Sequence, residues 1–219
     1  MDLVRKLHAP LVIDAGDRLA RAGIALELGG HQVATFVEAD LVVLSPGVPV
    51  DQPAVVEARA RGIPVIGDVE LASRWLAGRV IAISGTKGKS TTTVLTGRLL
   101  EQAGFKALVG GNIGVPLCDQ VEASTPETVH VIETSSFQLE QTETFHPWIA
   151  VLLNLSPDHL DRHPDFAAYR DAKGRIFDRQ TPSDWAVVNG DDPGALELAG
   201  RSRARKRVFA CHAARSEEH

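Results

Sequence analysis

Short apolar runs recur along the chain, and most of them stop at a polar residue or a glycine. Val80-Ile81-Ala82-Ile83, Val129-His130-Val131-Ile132, Ala150-Val151-Leu152-Leu153 and Trp185-Ala186-Val187-Val188 have the length and β-branched content of buried parallel strands. Ala107-Leu108-Val109 and Val208-Phe209-Ala210 are shorter strand candidates. Upstream, Leu11-Val12-Ile13, Leu41-Val42-Val43-Leu44 and Ile63-Pro64-Val65-Ile66 alternate with helix-compatible stretches at Arg18 to Leu28 and Pro53 to Arg61, and Val69 to Leu76 follows as a helix. Between Thr92 and Ala103, the residues Val94, Leu95, Leu99 and Leu100 have the spacing of one helix face. Alternating strands and helices predict an α/β protein, with a boundary near Gly78 that separates residues 1–77 from 78–219.

Between the run Val80 to Ile83 and the helix lies Ser84-Gly85-Thr86-Lys87-Gly88-Lys89-Ser90-Thr91. Strand, glycine turn and helix start together read as a phosphate loop. Gly85 and Gly88 allow positive φ and close approach to an anion, and the first N–H groups of the helix point at it. Lys89 then neutralises the β- and γ-phosphates of a nucleotide, and the Ser90 hydroxyl ligates magnesium. The full G-x-x-x-x-G-K-[ST] pattern is not met, since Ile83 stands where the first glycine belongs. The central region is therefore expected to be a P-loop-type domain with a mostly parallel sheet, preceded by a small Rossmann-like α/β layer. In such a sheet the polar stops Gly110-Gly111-Asn112, Glu133, Asn154 and Asn189 share one edge with the loop. Glu133, at a strand tip, is suited to hold the metal. Asp158-His159-Leu160-Asp161 is a plausible ion site, because a carboxylate beside an imidazole fixes its orientation. His159 and His163 also have i, i+4 spacing, but Pro164 and the absence of an H-E-x-x-H pattern argue against zinc. His163 is expected on the surface.

Composition narrows the options. At 219 residues, 44% hydrophobic and with a net charge of -5, the chain has material for a sizeable core and no basic footprint for nucleic acid. The run Arg201 to Arg207 is local and reads as a solvated loop. Two cysteines, Cys118 and Cys211, form no disulfide framework, and no stretch is long and apolar enough for a membrane span or signal peptide, so a cytoplasmic location is expected.

The shorter G-T-x-G-K-S-T loop resembles that of the Mur ligases and folylpolyglutamate synthetases, ATP-dependent enzymes that join an amino acid to a carboxylate. Ser135-Ser136-Phe137-Gln138-Leu139-Glu140 and Gly111-Asn112-Ile113-Gly114 are similar to the D-glutamate-adding branch of the Mur ligases, and motifs from Ser45 to Asp192 follow its order. The resemblance implies ATP and two magnesium ions held by Ser90, Glu133, His159 and Lys173. The match of Tyr169-Arg170-Asp171-Ala172-Lys173-Gly174-Arg175-Ile176 to the family's Tyr-x-x-Ala-Lys-x-x-Ile implies a carbamylated Lys173. It further implies that Ser45, Pro46 and Gly47 lie near a uridine nucleotide, and that Asn112, Ser135 and His159 meet the muramoyl substrate, UDP-N-acetylmuramoyl-L-alanine, to which D-glutamate is added. Lys87 stands where the family often has Asn. Asn189-Gly190-Asp191-Asp192 matches a family turn and is expected to fix a strand-to-helix connection. Two departures stand out. The stretch from Met1 to Pro10 has no glycine, so the uridine-binding half is expected to be shortened, with Asp14 as a substitute candidate, and the third ligase domain is expected to be absent. A fragment of that kind is expected to bind nucleotide without completing the ligation, as a monomer or as a dimer through its sheet edge. A non-catalytic nucleotide-binding module and a folylpolyglutamate-type ligase are the alternatives.

Overall fold

The structure, a computed structural model, describes residues 17–158 and 162–210. The run Leu11 to Ile13, Asp14, His159 and Cys211 lie outside the described residues. The chain divides into two compact units, one formed by residues up to 42 together with 49–64, the other by 43–48 and 65 onward.

In the first unit, α1 (Val33–Val37) packs against α2 (Pro53–Ala60), which buries Ala54, Val55 and Ala58. The expected helix from Arg18 to Leu28 is cut to a helical stretch at 17–21. Gly23 takes φ of 78°, and its N–H and that of Ile24 bond back to Ala20 and Leu19, the glycine-type helix stop. Beyond it Leu26 and Leu28 are exposed. Two short strands that fall in the second unit apart from Val42, β1 (Val42–Leu44) and β2 (Val65–Gly67), pair as a two-stranded sheet.

The second unit is built on six parallel strands, β3 (Arg79–Ser84), β4 (Lys106–Gly111), β5 (Thr128–Glu133), β6 (Ile149–Leu152), β7 (Trp185–Asn189) and β8 (Arg205–Phe209). Their order is β4-β5-β3-β6-β7-β8. Alternation along the strands splits the core. Val80, Ala82, Ile132, Ala150, Leu152, Ala186 and Val188 face one side, and Ile81, Ile83, Val129 and Val131 face the other. The first side is covered by α3 (Asp68–Ser73), α5 (Ser136–Glu140) and α7 (Pro193–Gly200), with α6 (Phe166–Gly174) packed against α5 and α7. After β3 the chain runs through α4 (Lys89–Gln102) to β4 and β5 on one flank, then fills β6, β7 and β8 on the other. A crevice at the carboxyl end of β3 follows from that reversal of direction.

Two sequence expectations about this unit change. The face of α4 that packs on the sheet is Thr93, Gly97 and Leu100, whereas Val94, Leu95 and Leu99 are exposed. Helix and sheet approach too closely there for a larger residue, and a Cβ on Gly97 would lie 2.1 Å from Val109 Cγ2. Gly97→Ala is therefore expected to destabilise the protein by about 1–3 kcal/mol through overpacking, against a helix-propensity gain of about 1 kcal/mol. Thermal unfolding checks this, with Val109→Ala in the same chain recovering part of the loss; an unchanged or higher midpoint for Gly97→Ala alone refutes it. The arginine-rich run, expected as a loop, contributes β8, whose five residues are all exposed. Arg205 and Arg207 lie over the Trp185 ring at 5.3 and 4.6 Å, so their cationic heads cover an aromatic face while charging the sheet edge.

A buried carboxylate ties α3 to the chain before β6. Glu70, with no exposed surface, accepts hydrogen bonds from the N–H groups of Glu143 at 2.8 Å, Thr144 at 3.0 Å and Phe145 at 3.0 Å. It also takes the Thr144 hydroxyl at 2.5 Å and Arg74 Nε at 2.9 Å.

Candidate functional site

The loop after β3 starts from Ser84, whose hydroxyl donates to the Thr134 carbonyl at 2.9 Å, holding the end of β3 to the segment after β5. Gly85 and Gly88 have φ of 154° and 83°, the left-handed region that side chains disfavour, and Gly88 is the N-cap of α4. The loop is clamped by Asn154, just past the tip of β6. Its backbone and side-chain oxygens both accept from Thr86 N–H, at 3.0 and 3.1 Å, and Oδ1 also accepts from Lys87 N–H at 2.8 Å. Asn154 Nδ2 returns a bond to the Lys87 carbonyl at 3.0 Å. The Thr86 hydroxyl accepts from Ser156 N–H at 3.0 Å and shares a proton with Tyr169 OH at 2.9 Å. With Thr86 and Lys87 N–H so engaged, the donors aimed outward are those at the start of α4, from Lys89, Ser90 and Thr91, which helix geometry leaves without intrahelical partners.

Parallel register sets Ile83 opposite Glu133, so the Glu133 carboxylate emerges beside the loop. Ser90 Oγ donates to Glu133 Oε2 at 2.7 Å, and Asn112 Nδ2 donates to Oε1 at 2.8 Å. Asn112 N–H also bonds the Glu133 carbonyl at 2.9 Å. Ser90 and Asn112, singled out from distant parts of the sequence, thus meet on the Glu133 carboxylate. Lys89 Nζ donates to the Thr86 carbonyl at 3.1 Å. Lys173, on α6 and 2% exposed, donates to the Gly85 carbonyl at 2.8 Å and reaches Ser84 Oγ at 3.4 Å. Burial, helped by the Lys89 ammonium and opposed by Asp158 and Glu133, pulls the Lys173 pKa down to about 7.

Other expected positions sit around this centre. Ser135 is the N-cap of α5 and forms a capping box with Gln138, its hydroxyl accepting from Gln138 N–H at 3.2 Å. His163 is not a surface residue. It is 4% exposed, stacks on Phe137 at 5.2 Å, meets the edge of Tyr169 at 5.5 Å and shares a proton with Ser136 Oγ at 2.9 Å. A histidine partnered in that way tolerates burial, which its position before a proline did not announce. Ser45, Pro46 and Gly47 form a turn at the carboxyl end of β1, closed by Val48 N–H on the Ser45 carbonyl at 2.9 Å. The Asn189 turn behaves as expected. Asn189 Oδ1 accepts from Asp191 N–H at 2.9 Å, and Asp192 caps α7 while accepting from Leu155 N–H at 2.6 Å. Asn154 stands at the edge expected for it and Thr86 in the expected loop, but their clamping role, shared with Tyr169, is not written in the sequence pattern.

Among the described residues no group of three or more His, Cys, Asp or Glu is placed to hold a metal ion. The donor set does fit magnesium in the way nucleotide sites use it, because Ser90 Oγ and Glu133 Oε2 are adjoining hard oxygens at a helix start, and phosphates and water supply the rest.

Fold and loop together define a P-loop-type α/β protein. The chain belongs to the Mur ligase family: the sequence model of the Mur ligase middle domain matches residues 83–217, and that of the Mur ligase MurD-like N-terminal domain matches residues 8–67. Curated relatives named UDP-N-acetylmuramoylalanine--D-glutamate ligase include that of Acidobacterium capsulatum, 51% identical over 187 residues, 85% of this chain and 41% of the relative. That of Koribacter versatilis is 48% identical over 196 residues, 90% of this chain and 42% of the relative. The chain therefore spans about two fifths of the length of these relatives. Among solved structures, the UDP-N-acetylmuramate:L-alanyl-gamma-D-glutamyl-meso-diaminopimelate ligase from Neisseria meningitides shares the fold, with a TM-score of 0.55 at 24% identity, covering 87% of this chain and 65% of that one.

Proposed function

We propose that this chain carries the nucleotide site of an ATP-dependent ligase that joins D-glutamate to UDP-N-acetylmuramoyl-L-alanine in the cytoplasmic synthesis of peptidoglycan precursors, a reaction needed for cell shape and division. The single observation that carries this reading is the meeting of Ser90, Asn112 and Glu133 beside the Lys89 loop, with Lys173 buried against the same loop. In this reading a substrate carboxylate oxygen bonds to the γ-phosphorus of ATP as the bond to ADP breaks, giving an acyl phosphate. The amine of D-glutamate then displaces phosphate and loses a proton, leaving an amide. Lys89 and the α4 N–H groups hold the phosphates, Glu133 and Ser90 hold magnesium, which screens the charge that gathers on the transferring group, and Asn112 and Ser135 orient the muramoyl substrate. Ser45, Pro46 and Gly47 receive the uridine portion, with residues 1–77 as its domain and 78–219 as the ATP domain. By the family resemblance, His159, outside the described residues, and Lys173 would serve a second magnesium.

An ammonium cannot ligate magnesium, so the Lys173 role requires a carbamate. A pKa of about 7 leaves much of the amine neutral, and only a neutral amine adds to carbon dioxide, forming a C–N bond and releasing one proton. Raising the pH above that value favours the product. With 13C-labelled bicarbonate, the wild type is expected to show a carbamate resonance by NMR that Lys173→Met lacks; a resonance in neither, or in both, overturns the assignment.

Calorimetric titration tests the substrate class. UDP-N-acetylmuramoyl-L-alanine is expected to bind, and Asn112→Ala to weaken it about tenfold or more, the loss of a hydrogen-bonded polar contact. Binding of dihydropteroate in its place would move the chain to the folylpolyglutamate branch.

A further inference from the structure

A cavity of about 610 Å³ opens at the amino-terminal edge of the six-stranded sheet, the edge opposite the Lys89 loop. Its size is that of a small-molecule site, typically about 300–1,000 Å³. Arg74, Leu76, Arg79, His146, Trp148 and Asp184 line it. The acidic groups around it are already engaged. Asp184 accepts from His146 Nε2 at 2.6 Å, Thr181 N–H at 2.6 Å and Thr181 Oγ1 at 2.7 Å. Glu70 holds Arg74 Nε at 2.9 Å along with its backbone donors, and Glu143 lies 3.4 Å from Arg74 Nη2. Arg79 differs from its neighbours. Its guanidinium lies over the Trp148 ring, 4.8 Å from the centroid, and among the described residues no carboxylate pairs with it. A guanidinium parked against an indole keeps its planar fork of N–H donors, which matches the two oxygens of a carboxylate or phosphate. Leu76, Val80 and the indole supply apolar wall beside it.

We propose that this cavity binds a small amphipathic anion, its carboxylate or phosphate head on Arg79 and its apolar body against Leu76 and Trp148. The site is separate from the nucleotide loop, and the inference does not depend on the ligase reading.

The test follows the indole N–H resonance of Trp148 in 15N-labelled protein, assigned with Trp148→Phe, during titration with inorganic phosphate, phenyl phosphate and benzoate. Phenyl phosphate or benzoate is expected to shift it saturably and to bind about tenfold tighter than inorganic phosphate, the ring adding about 1.4 kcal/mol. The preferred head shows whether phosphate or carboxylate is the better match. Arg79→Met should weaken binding at least tenfold, and Lys89→Met should leave it unchanged. If Arg79→Met does not fold, Arg79→Lys, which keeps the charge and loses the fork, should weaken it several-fold. A Trp148 resonance that ignores all three compounds, binding as tight as wild type in the Arg79 variants, or a response abolished by Lys89→Met overturns the proposal; the last outcome would place the effect at the nucleotide loop.

Discussion

Glu70→Ala is expected to lower the thermal unfolding midpoint by about 10 °C, the largest stability effect of any single side chain discussed above. The carboxylate serves three consecutive N–H groups, a hydroxyl and a guanidinium in a place without solvent. Truncation leaves those donors buried and unmatched, at a cost of about 3–5 kcal/mol, and each kcal/mol is worth about 2–4 °C in a chain of this size. Burial by itself would raise the Glu70 pKa, but the bonds from Thr144, Glu143 and Arg74 outweigh it and hold the value below the ordinary 4.5. A depressed folded-state pKa means that this stabilisation is complete above about pH 4.5 and is lost as pH falls through the folded value. Glu70→Gln should therefore be less stable than wild type at pH 7, with the gap closing in acid. Unfolding curves at both pH values decide it; a gap that stays constant would show that the charge on Glu70 contributes nothing.

Lys89→Met is expected to weaken binding of magnesium ATP by about 10- to 150-fold, the loss of a charged hydrogen bond worth about 1.5–3 kcal/mol. The lysine opens α4 from a glycine N-cap and bonds the loop carbonyl of Thr86, within reach of an anion seated on the helix start. The substitution has a second readout. The Lys89 ammonium is one cause of the low Lys173 pKa, so its removal should move that pKa upward, toward the ordinary lysine value. Fluorescent-nucleotide titration measures the first effect and the pH dependence of the Lys173 carbamate resonance the second. Undiminished nucleotide affinity would remove Lys89 from the site.

Much of this site was legible in the sequence because it is written in strand tips. Val80 to Ile83 and Val129 to Ile132 are apolar runs with abrupt polar ends, and parallel pairing puts such ends on one edge, which is how Glu133 and Ser90 come to touch. The features that escaped are those where shape, rather than polarity, decides. Apolar spacing in α4 pointed to Val94, Leu95 and Leu99, but the sheet accepts the small Thr93 and Gly97. His163 is hidden by three partners that lie far from it in sequence or stack only once folded. The end of β8 was legible as the run Val208 to Ala210, but its first residues resembled a loop, because an edge strand with arginines at Arg205 and Arg207 shows no apolar alternation.

The register of β3 against its two neighbours has an evolutionary corollary. Ile83 is matched to Glu133 on one side and to Val151 on the other, so the loop, the acid and the Asn154 clamp are all indexed from the same few rungs. Inserting or deleting one residue within β3, β5 or β6 would turn Glu133 or Asn154 to the wrong side of the pleat and dismantle the site in a single event. Changes in length should accordingly be confined to the connecting segments at the far end of the ladder, where descendants of this chain are free to grow.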